Sequence, residues 1–198
     1  MTMRERIANG DLFTDMCKGL PEDRLKGKEL TYEFNHTRPS DIEKRFELIH
    51  KMFGAFGENG WIEPPIYFSY GSNVFIGDNF YANFNFTLVD DYKITIGNNV
   101  LISPNVTISV TGHPVHYELR LHGEMYSFPV TIEDNVWIGS GVVICPGVTI
   151  GKNSVIGAGS IVTNNIPANV VAMGNPCKVF RDITDQDKEY YFKHRKAA

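Results

Sequence analysis

A six-residue repeat between Val130 and Asn165 constrains the fold of this 198-residue chain more than any other feature of the sequence. Six consecutive hexads place an aliphatic residue at the same position, at Ile132, Ile138, Ile144, Ile150, Ile156 and Val162. A period of six drifts around a helix, but it accommodates one short strand and one corner, with Gly or Asn where a positive φ is needed. Three hexads therefore close one triangular turn, and stacked turns predict a β-solenoid with a continuous apolar core.

The same pattern is present upstream, before and after a two-residue phase shift at Tyr92 and Lys93. A shift of this kind predicts a local bulge at one corner of the solenoid. The stretch from Trp61 to Tyr70 is expected to supply a further, irregular turn. We therefore predict a mainly β fold of four to five turns that spans residues 58–183.

The segment from Gly112 to Pro129 interrupts the period between two well-phased blocks. It must therefore leave the solenoid as an extruded loop, residues 112–129. Long excursions within compact domains are usually functional or disordered. This loop contains three of the six histidines together with Tyr117, Tyr126 and Phe128, and that aromatic content favours an ordered, functional loop.

The segments on either side of the repeats are predicted to be helical. The stretch that starts at Ser40 has apolar residues at helical spacing as far as Gly54. Pro176 ends the regular pattern, and the polar, aromatic-bearing stretch from Asp185 to Lys196 predicts a terminal helix. We expect a single structural domain in which a helical segment, residues 1–57, packs on the solenoid and a short helical tail, residues 184–198, caps its open end.

Composition and charge argue against several classes of function. The formal net charge of -4 provides no basic field for nucleic acid. No apolar run approaches the roughly 20 residues that span a bilayer, and the N-terminal residues lack the apolar stretch of a signal peptide. Cys17, Cys145 and Cys177 form no metal-binding spacing, and three cysteines cannot all pair in disulfides, which is typical of a reducing compartment. We therefore expect a cytoplasmic protein without nucleic-acid or membrane partners.

Several motifs outside the hexads add a more specific signal. They are LFTDMCKGLP, YEFNH, YFSYG, FYANFN, VDDY, TGHPVH and GEMYSFP. Together with the hexads they resemble the galactoside O-acetyltransferase family of bacterial hexapeptide-repeat acyltransferases, over almost the whole chain. The resemblance implies a left-handed parallel β-helix, a homotrimer with active sites between subunits, and acetyl-CoA as a co-substrate with no permanently bound cofactor. The implied reaction is direct transfer of an acetyl group to the 6-hydroxyl of a galactoside or similar sugar.

The resemblance assigns His113 as the general base of that reaction. A sugar hydroxyl is almost wholly protonated at neutral pH, and histidine side chains can take and return a proton in that range. His113 also lies where the repeat gives way to the loop, between a rigid support and a mobile cover. From the residues alone, a role in capping the turn after Gly112 is about equally plausible.

The resemblance also assigns an acceptor pocket. The residues at its sugar-binding positions are Asp15, Ser69, Asn83, Asp91 and Met125, with Tyr81 and Arg24 as neighbours of the same pocket. Carboxylates suit this role because each can accept several hydrogen bonds from sugar hydroxyls. Without the resemblance, these residues would be interpreted as a helix cap, polar corners, turn residues and packing contacts.

The acetyl-CoA site is expected along the C-terminal turns, where the implied residues are Ser140, Ala158, Thr163, Asn164, Lys178 and Arg181. The backbone N–H of Ser140 matches the family's oxyanion donor, and Trp137 is expected beside the pantetheine arm. Two residues depart from the family pattern. Asn164 stands where relatives often have Lys, and Lys178 where they often have Arg, so a charge and a bidentate donor are lost.

Other functions remain open at this point. Another acceptor, such as maltose or glucose, a lipo-oligosaccharide or an antibiotic, fits the same scaffold, and so does a catalytically silent sugar- or nucleotide-binding solenoid. A zinc site would need His116 and His122 beside His113. We expect no metal, because the repeats themselves contain no histidine, and interpret His116 and His122 as packing or solvent-facing residues.

Overall fold

The structure is a computed structural model that describes residues 1–15, 17 and 19–197. Three helices precede the repeats, namely α1 Met3–Ala8, α2 Leu20–Asn35 and α3 Ile42–Met52. The apolar spacing after Ser40 predicted α3. Its buried side includes Leu48, Ile49 and Met52, while Ile42 stays exposed. The expected helical segment before the solenoid is therefore present.

The repeats fold into short strands, three to a turn. The first turn has β1 Ala55–Phe56, β2 Trp61–Ile62 and β3 Ile66–Phe68; the second has β4 Val74–Ile76, β5 Tyr81–Ala82 and β6 Phe86–Val89; the third has β7 Ile94–Ile96, β8 Leu101–Ile102 and β9 Thr107–Ser109. After an extruded hairpin, β10 Thr111–Gly112 and β11 Tyr126–Ser127, the fourth turn has β12 Val130–Ile132, β13 Trp137–Ile138 and β14 Val143–Ile144. The fifth has β15 Thr149–Ile150, β16 Val155–Ile156 and β17 Ile161–Val162, followed by β18 Val170–Met173 and β19 Lys178–Asp182.

Corresponding strands of successive turns pair in parallel and build three faces. The first strands of the turns form face 1, the second strands form face 2, which β18 extends, and the third strands form face 3. A parallel bridge from Ile150 to Ile166 starts a sixth turn. The described residues thus form five complete turns and part of another, slightly more than the four to five that the repeats predicted.

The aliphatic hexad positions point inward and are buried, as predicted. They form one core that runs the length of the solenoid. Ile132 pairs with Ile150, 18 residues further on. In the upper turns the spacing is 20, as in the pair of Ile76 with Ile96, and the two additional residues lie between β6 and β7. The phase shift at Tyr92 and Lys93 is therefore a longer corner, as expected.

The corners are named by the faces they join. Corner 1–2 comprises residues 57–60, 77–80, 97–100, 133–136 and 151–154; corner 2–3 comprises 63–65, 83–85, 103–106, 139–142 and 157–160; corner 3–1 comprises 69–73, 90–93, 110–129, 145–148 and 163–165. Asparagines with positive φ turn the chain at corner 1–2. Their side-chain amides form a ladder in which each donates to the asparagine of the next turn at 2.8–3.0 Å, from Asn79 through Asn99, Asn135 and Asn153 to Asn169 in the partial sixth turn.

Two predicted boundaries need correction. The solenoid was expected to begin at residue 58, but Ala55 and Phe56 already pair with Phe75 and Ile76 of the second turn. The helical tail expected over 184–198 is helical only at α4 Gln186–Glu189. A hairpin of β20 Tyr190–Phe192 and β21 Arg195–Lys196 follows it, and Ala198 lies outside the described residues. The hairpin replaces the helix because Tyr190 pairs with Lys196 across a tight turn that has Lys193 at a positive φ.

The extruded loop begins and ends as predicted, to within a residue. Thr111 pairs with Ser127 and Gly112 with Tyr126, so β10 and β11 hold the loop away from the solenoid as an antiparallel hairpin. A short 3-10 helix, Tyr117–Arg120, lies between the strands. None of the helices in the described part of the chain is both long and apolar enough to cross a membrane.

Candidate active site

A cluster of charged residues lies against the upper part of corner 3–1. Asp15, in the segment between α1 and α2, forms a salt bridge with Arg24 of α2, and both side chains are about a quarter exposed. The electrostatic influence of Asp15 and Arg24 extends to Asp91 at the corner itself. Two carboxylates and one guanidinium thus lie near one another.

Asp91 is held by the hairpin that leaves this corner. Its carboxylate accepts a hydrogen bond of 2.7 Å from the Thr111 hydroxyl, which lies 2.9 Å from the Ser127 hydroxyl. Burial raises the pKa of Asp91, while the bond from Thr111 acts in the opposite direction. One carboxylate oxygen is therefore anchored, and the group retains free acceptor capacity on its open side.

Ser69 and Tyr70 occupy the same corner one turn earlier. Their backbone N–H groups donate to the carboxylate of Asp90, which is fully buried. Tyr70 is buried too, in a small apolar cluster with Phe13 and Met125, and burial raises the pKa of its hydroxyl to about 12. The Ser69 side chain remains partly open beside this cluster.

His113 directly follows β10, and Met125 directly precedes β11, so both lie where the extruded loop joins the hairpin strands. The Nδ1 atom of His113 lies 2.8 Å from the carbonyl oxygen of Glu124. The next residue, Met125, exchanges two backbone hydrogen bonds with Phe13, of 2.8 and 2.9 Å. The N-terminal segment that carries Asp15 is thereby fixed to the loop that carries His113.

A second group of the predicted residues lies at corner 2–3 instead. Asn83 accepts a bond from the N–H of Phe84 within its own turn, and the Ser140 carbonyl accepts one from Gly159. A side chain on Gly139 would meet the backbone of Ala158 at 2.6 Å, which explains why a glycine stands here. Ser140 and Ala158 are both exposed, at the same corner of two successive turns.

The N–H of Ser140 differs from its neighbours. The N–H groups of Gly139 and Gly141 donate to carbonyl oxygens at 2.8 and 3.0 Å, whereas within residues 1–15, 17 and 19–197 that of Ser140 meets no acceptor. Close by on face 2, the half-exposed Trp137 donates its indole N–H to the Ser103 hydroxyl at 3.1 Å. Corner 2–3 thus presents an unused donor beside an aromatic ring.

The remaining predicted residues lie towards the C-terminal end. Thr163 and Asn164 are exposed at corner 3–1 of the fifth turn, where the Asn164 amide donates to Thr163. Lys178 and Arg181 are exposed on β19, which pairs antiparallel with β18 and forms the edge strand of face 2. The guanidinium of Arg181 forms two hydrogen bonds, of 2.8 and 2.6 Å, with the Asp187 carboxylate.

The chain therefore brings one half of the predicted site together and separates the other. The gathered residues are Asp15, Arg24, Ser69, Asp91, His113 and Met125. Asn83, Ser140 and Ala158 lie at corner 2–3 of the solenoid instead. Sequence reasoning missed Thr111 and Tyr70 as neighbours of Asp91. Both belong to motifs that carry the resemblance, since Thr111 is the first residue of TGHPVH and Tyr70 lies in YFSYG.

A metal centre finds no support among the described residues, which contain no group of three or more His, Cys, Asp or Glu side chains placed to hold an ion. His116 lies beside Glu118 at 3.9 Å, and both it and His122 are exposed. His113, by contrast, is the loop histidine whose ring is fixed by the hairpin.

The stacked hexads, the extruded loop and its fixed histidine define a hexapeptide-repeat acyltransferase scaffold. Residues 129–164 match the family model described as "Bacterial transferase hexapeptide (six repeats)". Residues 6–57 match the "Maltose acetyltransferase hexapeptide capping motif".

Individual relatives narrow the class. The chain is 71% identical to the galactoside O-acetyltransferase of Escherichia coli K12 over 99% of its own length and 97% of that protein. A solved galactoside acetyltransferase in complex with coenzyme A matches with a TM-score of 0.99 and 71% identity, over 100% of this chain and 99% of the other. A maltose O-acetyltransferase from Clostridium difficile 630 matches with a TM-score of 0.91 and 44% identity, over 93% and 98%. The chain belongs to the galactoside O-acetyltransferase family, and the expected left-handed parallel β-helix is confirmed.

Proposed function

We propose that this enzyme transfers the acetyl group of acetyl-CoA directly to the 6-hydroxyl of a galactoside, with His113 as the general base. The observation that carries the proposal is the 2.8 Å contact between His113 Nδ1 and the carbonyl oxygen of Glu124. A carbonyl oxygen only accepts hydrogen bonds, so in the neutral imidazole the proton resides on Nδ1. The lone pair is then on Nε2, on the side of the ring away from the hairpin backbone.

The chemistry follows from that lone pair. Nε2 takes the proton of the sugar hydroxyl as its oxygen attacks the thioester carbonyl carbon. When the tetrahedral intermediate collapses, the carbon–sulfur bond breaks and the imidazolium returns the proton to the coenzyme thiolate. Both substrates are held at once, so no covalent intermediate on the enzyme is needed.

The N–H of Ser140 is proposed to stabilise the oxyanion of that intermediate. This donor meets no acceptor within the described residues, and Gly141 beside it, with no atom within 4 Å of where a side chain would start, leaves the backbone open to a close approach. Loss of one such donor typically lowers the rate by about 10²- to 10³-fold.

The acceptor pocket is assigned to Asp15, Ser69, Asn83, Asp91 and Met125, with Arg24 and Tyr81 beside them. Arg24 holds one carboxylate oxygen of Asp15, and Thr111 holds one of Asp91. The remaining lone pairs are directed by these bonds and can accept from two sugar hydroxyls at once. Met125, packed against the Tyr70 cluster, supplies an apolar wall.

Acetyl-CoA is assigned to a groove that includes Ser140, Ala158, Thr163, Asn164, Lys178 and Arg181. The exposed indole of Trp137 is placed to flank the pantetheine arm. Lys178 and Arg181 are proposed to meet the phosphates, near an open cleft of about 810 Å³ whose lining includes Arg181 and Lys193 together with Asp182 and Asp187. The positive charges of Lys178 and Arg181 suit the anionic end of the coenzyme.

A homotrimer would complete the site. In a closed ring, one surface of each copy meets a different surface of the next, so corner 2–3 of one subunit can face corner 3–1 of its neighbour. Face 2 offers a suitable contact, because its outward side chains form an aligned apolar row of Trp61, Tyr81, Leu101, Trp137, Val155 and Val171. On face 1 the corresponding row is mainly threonine, at residues 95, 131 and 149.

Maltose or glucose is the second candidate acceptor. The match of residues 6–57 to the maltose acetyltransferase capping motif favours it, since this segment contains Asp15 and Arg24 of the acceptor pocket. The catalytic steps would be the same with either sugar.

Thiol release from acetyl-CoA, followed with a panel of galactosides, glucosides and maltose, tests the proposal. We expect the highest kcat/KM with a galactoside, and initial-rate lines for varied sugar at fixed acetyl-CoA concentrations that intersect. Parallel lines would indicate a covalent acetyl-enzyme and contradict direct transfer. Turnover with none of the sugars would overturn the proposed function.

A further inference from the structure

Asp90 forms an unusual connection between two consecutive turns of corner 3–1. Its Oδ1 atom accepts from the N–H groups of Ser69 and Tyr70 at 2.8 and 3.0 Å, and its Oδ2 atom accepts from Gly71 at 2.7 Å. The Asn73 amide also donates to the Asp90 carbonyl at 2.6 Å. Both ends of the corner at residues 69–73 are therefore tied to one residue of the next turn.

Among residues 1–15, 17 and 19–197, no other corner uses a carboxylate to accept three backbone N–H groups. At corner 1–2, Asp78 accepts from the N–H of Glu58, and Asn98 accepts from the N–H of Asp78, each through one oxygen and at 2.8 Å. Because the amide oxygen of Asn98 accepts the same kind of backbone hydrogen bond as the carboxylate of Asp78, a single acceptor oxygen is enough at corner 1–2. Three donors on two oxygens need a carboxylate, since an amide would turn its NH₂ group towards at least one N–H.

The position of this connection links it to the acceptor pocket. Ser69, which the carboxylate holds, and Asp91, which follows it in the chain, are both assigned to sugar binding. Tyr70, held by the same oxygen as Ser69, packs in the cluster that includes Met125. Gly71 has a φ of +72°, and a side chain there would meet the Met52 carbonyl oxygen at 2.1 Å, so the corner cannot relax around a larger residue.

We propose that Asp90 is a positioning residue of the acceptor pocket, which fixes Ser69 and Tyr70 relative to Asp91 so that the sugar meets a preorganised set of acceptors. This inference rests on the proposed function, because it assigns to Asp90 a role in recognising the acceptor. A small displacement of a binding group can lower rates strongly even when the group itself is intact. None of the residues assigned to the coenzyme belongs to the two turns that Asp90 connects.

The test compares Asp90→Asn with Asp78→Asn, in steady-state assays at pH 8 with a nitrophenyl β-galactoside and acetyl-CoA. Asp78→Asn removes a carboxylate from a similar connection between turns, remote from the pocket. For Asp90→Asn we expect the KM for the sugar to rise at least about tenfold, while the KM for acetyl-CoA stays within about twofold. Asp78→Asn should leave both KM values within about twofold of wild type.

The outcomes separate positioning from a general structural role. If Asp90→Asn lowers only the thermal stability and leaves the sugar KM within about twofold of wild type, the inference is overturned. If Asp90→Asn does not fold, Asn73→Ala takes its place, because it removes the hydrogen bond from the Asn73 amide to the Asp90 carbonyl oxygen and so loosens the same corner. An unchanged sugar KM in that variant would also overturn the inference. Absence of wild-type turnover with any sugar removes the proposed function itself, and the role of Asp90 with it.

Discussion

The imidazole of His113 and the backbone of Glu124 are joined across the base of the extruded loop by a 2.8 Å hydrogen bond. This bond fixes both the tautomer and the orientation of the ring. Because its partner is a backbone carbonyl within the hairpin, the orientation depends on the pairing of β10 with β11 rather than on any single side chain. The ring of the proposed general base is therefore aligned before the substrates bind.

His113→Ala should lower kcat by about 10²- to 10⁴-fold, the range typical of a positioned acid–base group. The KM for acetyl-CoA should change little, since none of the residues assigned to the coenzyme lies on the extruded loop. Initial rates of thiol release measure both quantities. His122→Ala is the matched control, because His122 lies exposed on the same loop and should leave the rate within about twofold. Near-normal activity of His113→Ala would remove this histidine from catalysis.

Mixed oligomers test whether the site lies between copies. His113→Ala damages the half at corner 3–1, and Ala158→Trp should block the half at corner 2–3. Each variant alone should be inactive, yet a 1:1 mixture assembled together should recover about a quarter of wild-type activity, because that fraction of contacts joins two intact halves in a cyclic ring. Thiol release by the mixture measures the recovery.

A mixture of His113→Ala with His113→Asn is the control for this experiment, since both variants damage the same half. It should recover nothing. If the first mixture is equally inactive although the chains have exchanged, the two corners do not meet between copies.

Much of the fold was predictable because the hexads act locally. Each inward aliphatic residue, such as Ile138 or Ile156, requires only its own strand and the turns above and below. The C-terminal tail has no such period, and a helix was wrongly expected where Tyr190 pairs with Lys196. That pairing depends on a tight turn at Lys193, which no spacing rule indicated.

The candidate site was less accessible to sequence reasoning. Asp90 and Asp91 are adjacent and chemically identical, yet one is buried under three N–H groups and the other opens towards Asp15 and Arg24. Which carboxylate turns inward is decided by the corner above, 20 residues earlier in the chain. The separation of Ser140 from His113 likewise depends on which corner each hexad reaches, information that exists only after the turns are stacked.

The stability of the fold should depend on pH through Asp90. Burial raises the pKa of this carboxyl to about 7 from its ordinary value of 3.8, against the effect of the three N–H donors. Between about pH 4 and 7 the folded state keeps a proton that the unfolded state has lost, so the free energy of unfolding should fall as pH rises, by up to about 1.4 kcal/mol per pH unit. Denaturant unfolding of wild type and Asp90→Asn across this window measures the difference, and other titrating groups cancel in the comparison. A difference that does not change with pH would contradict the assignment.

Asn164 should weaken coenzyme binding relative to the lysine that the family resemblance implies at this position. Its amide donates to Thr163 at 3.0 Å and is exposed, so a lysine can replace it without loss of packing. Asn164→Lys should lower the KM for acetyl-CoA by a few fold, an effect that salt should diminish. Ser40→Lys adds the same charge at an exposed position before α3, outside the residues assigned to the coenzyme, and should not change this KM. An unchanged KM in Asn164→Lys would remove residue 164 from the coenzyme site.

Asp187 competes with the coenzyme for Arg181 if that arginine binds phosphate. Its carboxylate occupies two N–H groups of the guanidinium, and Arg181 lowers the pKa of Asp187 to about 2, so the carboxylate is ionised at the near-neutral pH of the assay. Asp187→Asn should free the guanidinium for a bidentate contact and lower the KM for acetyl-CoA by about two- to fivefold, with a steeper dependence on salt. Asp185→Asn is the matched control, because Asp185 pairs with Lys188 in the same tail and leaves Arg181 unchanged. A KM for acetyl-CoA that rises in Asp187→Asn would mean that the carboxylate instead orients Arg181 for the coenzyme. Equal effects of Asp187→Asn and Asp185→Asn would exclude a specific role of the pair of Arg181 with Asp187.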